Sequence, residues 1–288
     1  MPTDTPFRTR ELMPNFGVEV LDADVTRETP ETMADIVSLF HRHGALLLRG
    51  QTMSPAQQVT FTNLFGPPAD NPRKEYTVPD YPDVFVISNK VVNGRNIGDP
   101  DAGTGWHYDM CYDRYPGLCT ILHALEVPPE GSDTLLSDLC AVYEAFPAER
   151  RQDLEDMVIH YSYISLQEMK GNVITDLHRA TLPDVLHPMI RRHPINGRPA
   201  LRPCFGGTRG VVGMPNPQGQ ELLKELVAYA TEERFIYRHK WQVGDILVWD
   251  NNCTLHKGTP FDKTKHVRHV HRTWVQSPKE HYLDSAYA

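Results

Sequence analysis

The sequence predicts a mainly β protein in which antiparallel strands form a jelly roll, with helices packed outside it. From Val84 onward, short apolar or alternating runs are separated by Gly, Pro, Asn and Asp, a pattern typical of antiparallel strands. Helical periodicity is limited to a few segments between these runs. A hydrophobic fraction of 40% and a charged fraction of 23% supply enough apolar material for a large core. Because β barrels with added helices can reach 288 residues as one unit, we expect a single domain over residues 1–288.

The N-terminal part, about residues 1–80, is predicted to be an α/β extension. Residues 31–43 carry apolar side chains at helical spacing, and residues 45–48 form a short apolar run that predicts a buried strand. A second helix is predicted to begin with Ser54 as N-cap and Pro55 as its first residue, since proline lacks the N–H that this position leaves unpaired.

The jelly-roll core is predicted to cover about residues 81–276 and to be followed by a short tail, residues 277–288. Its strands are predicted at residues 84–88, 118–125, 133–136, 246–249 and 267–275. Helical patterns at residues 141–146, 149–158 and 219–232 predict a helical insertion over about residues 140–240. Helices outside a many-stranded antiparallel sheet fit a jelly roll.

Charge and composition argue against several classes of function. The chain has 37 acidic and 29 basic side chains and a formal net charge of −8, which repels polyanions, so we expect no nucleic-acid partner. The polar N-terminus lacks the apolar segment of a signal peptide, and the sequence holds no apolar run of about 18 residues, so we expect a cytoplasmic protein without a membrane partner. Five cysteines without a Cys-X-X-Cys pair predict reduced, buried thiols. Homo-oligomer formation is left open.

Three residues form a candidate metal site. His107 and Asp109 lie two residues apart, so in an extended segment their side chains share one face and can converge. His256, which follows a predicted buried strand, supplies a second imidazole. Two His and one carboxylate leave three metal positions open, as in non-haem Fe(II) oxygenases. Catalytic zinc also uses three protein ligands, so these residues alone do not exclude a hydrolase.

Two arginines beyond the third ligand predict a carboxylate cosubstrate. Arg268 and Arg272 lie four residues apart in a predicted strand, so both side chains should point to the same face. The planar guanidinium group binds a carboxylate through paired, charge-assisted hydrogen bonds.

At this point the sequence resembles the taurine dioxygenase and chlorophenoxyacetate dioxygenase (TauD/TfdA) family of 2-oxoglutarate oxygenases. The family pattern is His-X-Asp, then Thr or Ser, then a distant His, then Arg. Here 24 residues separate Asp109 from Thr134, 121 separate Thr134 from His256, and 11 separate His256 from Arg268. Further similarity, including the motifs at residues 46–51, 65–67, 126–128, 131–134 and 249–251, extends the resemblance over about residues 15–277.

The resemblance implies a distorted double-stranded β-helix that binds Fe(II), the cosubstrate 2-oxoglutarate and O2. Thr134 and Arg268 would then hold the distal carboxylate of 2-oxoglutarate, and Arg272 would face an acidic group on the substrate. The implied reaction hydroxylates, or hydroxylates and so cleaves, a small anionic organic substrate with release of succinate and CO2.

Other residues are expected to surround the substrate. The taurine enzyme uses a His and a Tyr after its Phe-Gly turn, whereas the nearest positions here are Asn71 and Lys74, so we expect a substrate other than taurine. Tyr112 follows Asp109 closely and is a candidate for the pocket wall. Two alternatives remain: the same chemistry, including desaturation, on an amino-acid-derived biosynthetic intermediate, and a cupin-like isomerase or binding protein that uses the scaffold without oxygen.

Overall fold

Two β-sheets enclose the functional region of the molecule. The protein is described here from a computed structural model, for residues 6–71, 73–101, 103–204 and 206–282. The strands of these residues are β1 (Thr9–Met13), β2 (Phe16–Val20), β3 (Ala45–Leu48), β4 (Thr77–Val78), β5 (Tyr81–Ser88), β6 (Val91–Val92), β7 (Arg95–Asn96), β8 (Gly117–Glu126), β9 (Thr134–Asp138), β10 (Val158–Tyr161), β11 (Val185–Pro188), β12 (Ile190–Arg192), β13 (Pro199–Leu201), β14 (Thr208–Val211), β15 (Ile236–His239), β16 (Ile246–Asp250), β17 (Thr254–Gly258) and β18 (His269–Gln276). The α-helices are α1 (Pro30–His43), α2 (Pro55–Thr62), α3 (Leu139–Ala145), α4 (Ala148–Glu155), α5 (Tyr163–Met169), α6 (Asp176–Thr181) and α7 (Asn216–Ala230).

The larger sheet has eight strands in the order β1-β2-β3-β16-β8-β18-β5-β4, and a smaller sheet has the order β15-β9-β17. Leu136 of the smaller sheet belongs to the same apolar cluster as Leu122 and Leu247 of the larger one. The two sheets therefore face each other across a core, as expected for a jelly roll. The long strand β8 is central, because it pairs with both β16 and β18.

The N-terminal extension is continuous with the larger sheet. Strands β2 and β3 are parallel, and α1 makes the crossover between them; β3 in turn pairs with β16. The buried side chains of α1 pack in one cluster with Leu46 and Val248. The helix ends at Gly44, whose φ of +74° favours glycine and where a Cβ would lie 3.0 Å from Cys253 Sγ. The predicted helix, strand and Ser54 cap of this region are confirmed.

The segment between β9 and β15 contains more than the predicted helices. It holds α3 to α7, but also a three-stranded sheet, β11-β10-β14, and the hairpin β12-β13. The prediction of a helical insertion missed these short strands. Val158, predicted as the last residue of a helix, is instead the first residue of β10, where Val158 and Ile159 are buried and the strand pairs with two neighbours. The segment packs its own apolar cluster, which includes Tyr108, Tyr161 and Leu223, behind the candidate metal site.

The last strand begins later than predicted. Strand β18 starts at His269, so Arg268 precedes it, and the Arg268 backbone N–H donates to Asn89 Oδ1 instead of to a neighbouring strand. Among the residues described, no helix is both long enough and apolar enough to cross a membrane.

Candidate functional site

The two histidines and the aspartate are brought together at the open edge of the smaller sheet. Backbone hydrogen bonds join His107 to His256 in both directions, at 3.1 and 2.8 Å, so the first ligand segment extends the sheet beyond β17. Asp109 Oδ1 lies 3.7 Å from His107 Nε2 and 3.9 Å from His256 Nε2. One ligand atom from each of the three residues lies within 4.8 Å of the others. This donor set can hold one metal ion.

The hydrogen bond of His107 orients its ring for metal binding. Its Nδ1 lies 2.7 Å from the carbonyl oxygen of Gly105, which can only accept a hydrogen bond, so Nδ1 is the donor and Nε2 is the nitrogen available to a metal. Nδ1 of His256 has no hydrogen-bond partner within the described part of the chain. Burial and the neighbouring His107 lower the pKa of His256 well below its ordinary value, which favours the neutral imidazole that a metal requires.

Residues of β8 and of the turn between β16 and β17 hold Asp109 in place by hydrogen bonds. Thr120 donates a 2.5 Å hydrogen bond to Oδ2, and the Thr120 hydroxyl in turn accepts one from the Asn251 side chain at 3.2 Å. The Asn251 side-chain oxygen accepts from the Asp109 backbone N–H at 3.1 Å. Burial alone would raise the pKa of Asp109, but Arg272, the two histidines and Thr120 hold it well below its usual range. Asp109 is therefore an anion at neutral pH.

A recessed inner cavity adjoins the three residues. Thr134 and Arg268 line it together with the triad. Arg268 Nε has no hydrogen-bond partner among the described residues, and burial lowers the pKa of Arg268 to about 10 without any carboxylate nearby to offset this effect. A buried cation without an anion is unfavourable, so this end of the cavity fits the carboxylate of a small ligand.

Arg272 lies where the inner cavity meets a second, outer cavity of about 590 Å³, and it lines both. Its guanidinium carbon is 5.7 Å from the centre of the Phe85 ring, and it forms no ion pair with a described carboxylate. Arg268 and Thr134 line only the inner cavity. Arg268 therefore contributes to the inner cavity alone, whereas Arg272 contributes to both cavities.

The structure separates the three other predicted substrate residues. Tyr112 lines the outer cavity and packs edge-on against Tyr163, with its hydroxyl bonded to Met110 Sδ. Asn71 also lines this cavity, but it is buried and its amide donates to the carbonyl oxygens of residues 82 and 83. Lys74 does not line either cavity: it is exposed and lies 3.8 Å from Asp70. Lys74 is close to Asn71 in sequence but lies outside the site, because it begins a short 3₁₀ helix at the surface.

A second cluster of metal-ligand types, His193, Asp250 and Cys253, is already satisfied. His193 Nε2 is 2.8 Å from Asp250 Oδ2, and its Nδ1 accepts backbone N–H groups at 3.2 Å from residues 195 and 196. The other oxygen of Asp250 accepts two hydrogen bonds from Asn252. Both imidazole nitrogens are in use, so this cluster is a structural pair that holds the turn leading to His256.

Sequence reasoning missed two residues that support the site. Thr120 stands inside an apolar run that predicts only a strand, although a hydroxyl at a fully buried position requires a partner. Trp241, whose indole N–H donates to Thr134 Oγ1 at 3.1 Å, lies in a loop that carries no pattern. Trp241 is 107 positions from Thr134, and Thr120 is 131 positions from Asn251, so neither pair forms a local pattern.

The family model for the taurine catabolism dioxygenase TauD, TfdA family, matches residues 8–274. The chain belongs to the TauD/TfdA family. This TauD/TfdA protein is therefore a 2-oxoglutarate-dependent non-haem iron dioxygenase, which uses Fe(II), 2-oxoglutarate and O2. The resemblance inferred from the spacing of the motif is confirmed, and so is the jelly-roll fold.

Relatives of this TauD/TfdA protein match over most of its length. It is 33% identical over 265 residues to the alpha-ketoglutarate-dependent 2,4-dichlorophenoxyacetate dioxygenase of Cupriavidus pinatubonensis, covering 87% of this chain and 91% of the relative. It is 30% identical over 264 residues to pentalenolactone F synthase of Streptomyces arenae, covering 86% and 88%. A crystal structure of AAD-2 with Mn(II) and N-oxalylglycine superimposes with a TM-score of 0.82 at 25% identity, covering 94% of this chain and 97% of the other.

Proposed function

We propose that this dioxygenase oxidises a small carboxylic acid that has an apolar body, and that Arg272 binds the acid group. The observation that carries this proposal is the position of Arg272, which lies at the junction of the two cavities and forms no ion pair with a described carboxylate. An arginine there can hold a substrate anion while the rest of the substrate occupies the outer cavity.

The wall of the outer cavity supports an apolar substrate body. Most of its large side chains are aromatic or sulfur-containing: Phe85, Trp106, Tyr108, Met110, Cys111, Tyr112 and Met169. Its charged side chains are largely neutralised by one another or by neighbours, because Arg73 pairs with Asp99 at 2.6 Å and Asp101 pairs with Lys263. Lys170 is exposed to solvent. Arg272 is thus the recessed cation that a substrate can reach.

The relatives fit the same class of substrate. Two of them are named for aromatic acids, 2,4-dichlorophenoxyacetate and (S)-phenoxypropionate. Each aligns with 87% of this chain. Both compounds combine a carboxylate with a bulky apolar group. The cavity of this chain offers the corresponding pair of features, a guanidinium group beside an aromatic wall.

We further propose that His107, Asp109 and His256 hold the iron, while Thr134 and Arg268 bind the distal carboxylate of 2-oxoglutarate. The site fits both groups, since it offers two imidazoles with one carboxylate, and a buried guanidinium without a described anion beside it. When bound, iron and 2-oxoglutarate supply the oxidation of a substrate C–H bond at the expense of O2, with release of succinate and CO2. The residues of the chain would orient the reactants and surround them with an aromatic wall that limits access of water.

A panel of matched acids and neutral amides tests the proposal. Purified protein is given Fe(II), 2-oxoglutarate and air, and succinate release is measured with carboxylic acids of graded apolar size and with the amide of each acid. We expect acids to stimulate succinate release and to be consumed, whereas the amides should not. Asp109→Ala is the inactive control. Equal stimulation by an acid and its amide would refute the role of the anion, and stimulation by polar amino acids alone would favour a biosynthetic substrate instead.

A further inference from the structure

The hydroxyl of Thr134 has one hydrogen to donate, and its surroundings decide where that hydrogen points. Trp241 Nε1 lies 3.1 Å from Thr134 Oγ1. An indole nitrogen can only donate a hydrogen bond, so the threonine oxygen must be the acceptor in this pair. No acceptor for the hydroxyl hydrogen is found among the described residues, and Thr134 is buried against the inner cavity.

We infer that Trp241 is a positioning residue for 2-oxoglutarate: its N–H makes the Thr134 hydroxyl a donor toward the distal carboxylate. The inference rests on the proposed function, which places that carboxylate between Thr134 and Arg268. Because the indole N–H donates to the oxygen from one side, the hydroxyl hydrogen points away from Trp241, toward the cavity. A carboxylate needs donors, and Arg268 supplies only those on the other side.

The indole ring is itself held in place by the end of the smaller sheet. His239 pairs with Thr134 across β15 and β9, and Trp241 follows two residues later. The Trp241 ring packs edge-on against His239, with centroids 4.4 Å apart, and His239 Nε2 lies 3.1 Å from the buried Asp245. Asp245 also accepts the backbone N–H of Gln242 and a 2.7 Å bond from Arg49. The Trp241 ring is therefore held by His239 and Thr134, and Asp245 holds the residues on either side of it in sequence, before any ligand binds.

The test is a double-mutant cycle on 2-oxoglutarate binding. The affinity of the Mn(II)-loaded protein for 2-oxoglutarate is measured by calorimetry for wild type, Trp241→Phe, Thr134→Val and the double variant. Phenylalanine keeps most of the ring but removes the N–H. We expect Trp241→Phe to weaken binding about 3- to 10-fold, the size of one net hydrogen bond, and Thr134→Val to weaken it by at least as much. The double variant should bind no worse than Thr134→Val alone, because both changes remove the same contact.

Two further measurements separate positioning from general damage. Mn(II) affinity should not change in Trp241→Phe, and under turnover the KM for 2-oxoglutarate should rise while kcat at saturation stays the same. Trp274→Phe is the control for loss of an indole, because this tryptophan is buried and its N–H has no partner within the described residues. Its 2-oxoglutarate affinity should equal that of wild type.

Results that contradict the role of Trp241 differ from results that contradict the proposed carboxylate site. If Trp241→Phe binds 2-oxoglutarate as tightly as wild type, or if the two losses simply add in the double variant, the positioning role of Trp241 is wrong. If instead Arg268→Ala and Thr134→Val both leave the affinity unchanged, the proposed carboxylate site itself is wrong. A loss in Trp241→Phe that is matched by an equal loss in Trp274→Phe would show an effect of packing and overturn the inference.

Discussion

Thr120 and Asp109 are joined by a hydrogen bond that decides which carboxylate oxygen faces the two histidines. Thr120 Oγ1 lies 2.5 Å from Asp109 Oδ2, whereas Oδ1 is the oxygen nearest to His107 and His256. The threonine stands on the central strand β8 at a fully buried position. The rigid sheet therefore fixes the orientation of the only anionic group in the triad.

Loss of this hydroxyl should weaken metal binding. Thr120→Val keeps the shape of the side chain but leaves Oδ2 without its donor, so the carboxylate can rotate and Asn251 loses an acceptor. We expect the affinity for Mn(II) or Fe(II) to fall about 10- to 100-fold, as is usual for groups that orient a metal ligand. Titration of the metal-free protein measures this affinity. Thr120→Ser should retain it, and equal affinities for the serine and valine variants would contradict the role of the hydroxyl.

The second His-Asp pair should affect stability without affecting metal content. His193→Leu removes the donor to the fully buried Asp250, so we expect the free energy of unfolding to fall by about 2–5 kcal/mol. The matched control is His160→Leu, which breaks a 2.9 Å contact with Asp184 that is partly exposed and should cost less than about 1 kcal/mol. Denaturant unfolding gives both values. A loss of bound metal in folded His193→Leu would instead identify the cluster as a second metal site.

The sequence was sufficient to predict that His107, Asp109 and His256 come together, because they form short-range and spaced patterns. The alternation of His107 and Asp109 in an extended segment places both side chains on one face, and the interval to His256 is that of the family. The helix cap at Ser54 was similarly local, and the structure shows it as part of a capping box.

The parts that could not be predicted depend on contacts between distant residues. The pairing of Trp241 with Thr134 spans 107 positions, and that of Asn251 with Thr120 spans 131. The short strands β10 to β14 also escaped prediction, because strands of three or four residues carry too little periodicity to be told from helix ends or loops. Lys74 was expected near the substrate from its sequence position alone, which does not determine where a surface turn points.

The position of Arg272 predicts that substrate binding and cosubstrate binding can be separated by mutation. Arg272 lines both cavities, whereas Arg268 lines only the inner one. Arg272→Ala should therefore weaken binding of the acidic substrate at least about 10-fold, since one charge-assisted contact contributes roughly 1.5 kcal/mol or more. Affinity for 2-oxoglutarate should stay within about threefold of wild type, the range expected for a lost long-range charge.

Arg268→Ala provides the opposite pattern and is the matched comparison. It removes the guanidinium at the end of the inner cavity, so the half-saturating concentration of 2-oxoglutarate should rise by one decade or more, corresponding to roughly 1.4 kcal/mol or more. The measurement is succinate formation with and without the acid, at varied 2-oxoglutarate, for wild type and both variants. In Arg272→Ala the slow release of succinate without substrate should persist while the stimulation by substrate is lost. If the cosubstrate defect appeared in Arg272→Ala and not in Arg268→Ala, the two guanidinium groups would have to exchange roles, and the outer cavity would lose its anion-binding residue.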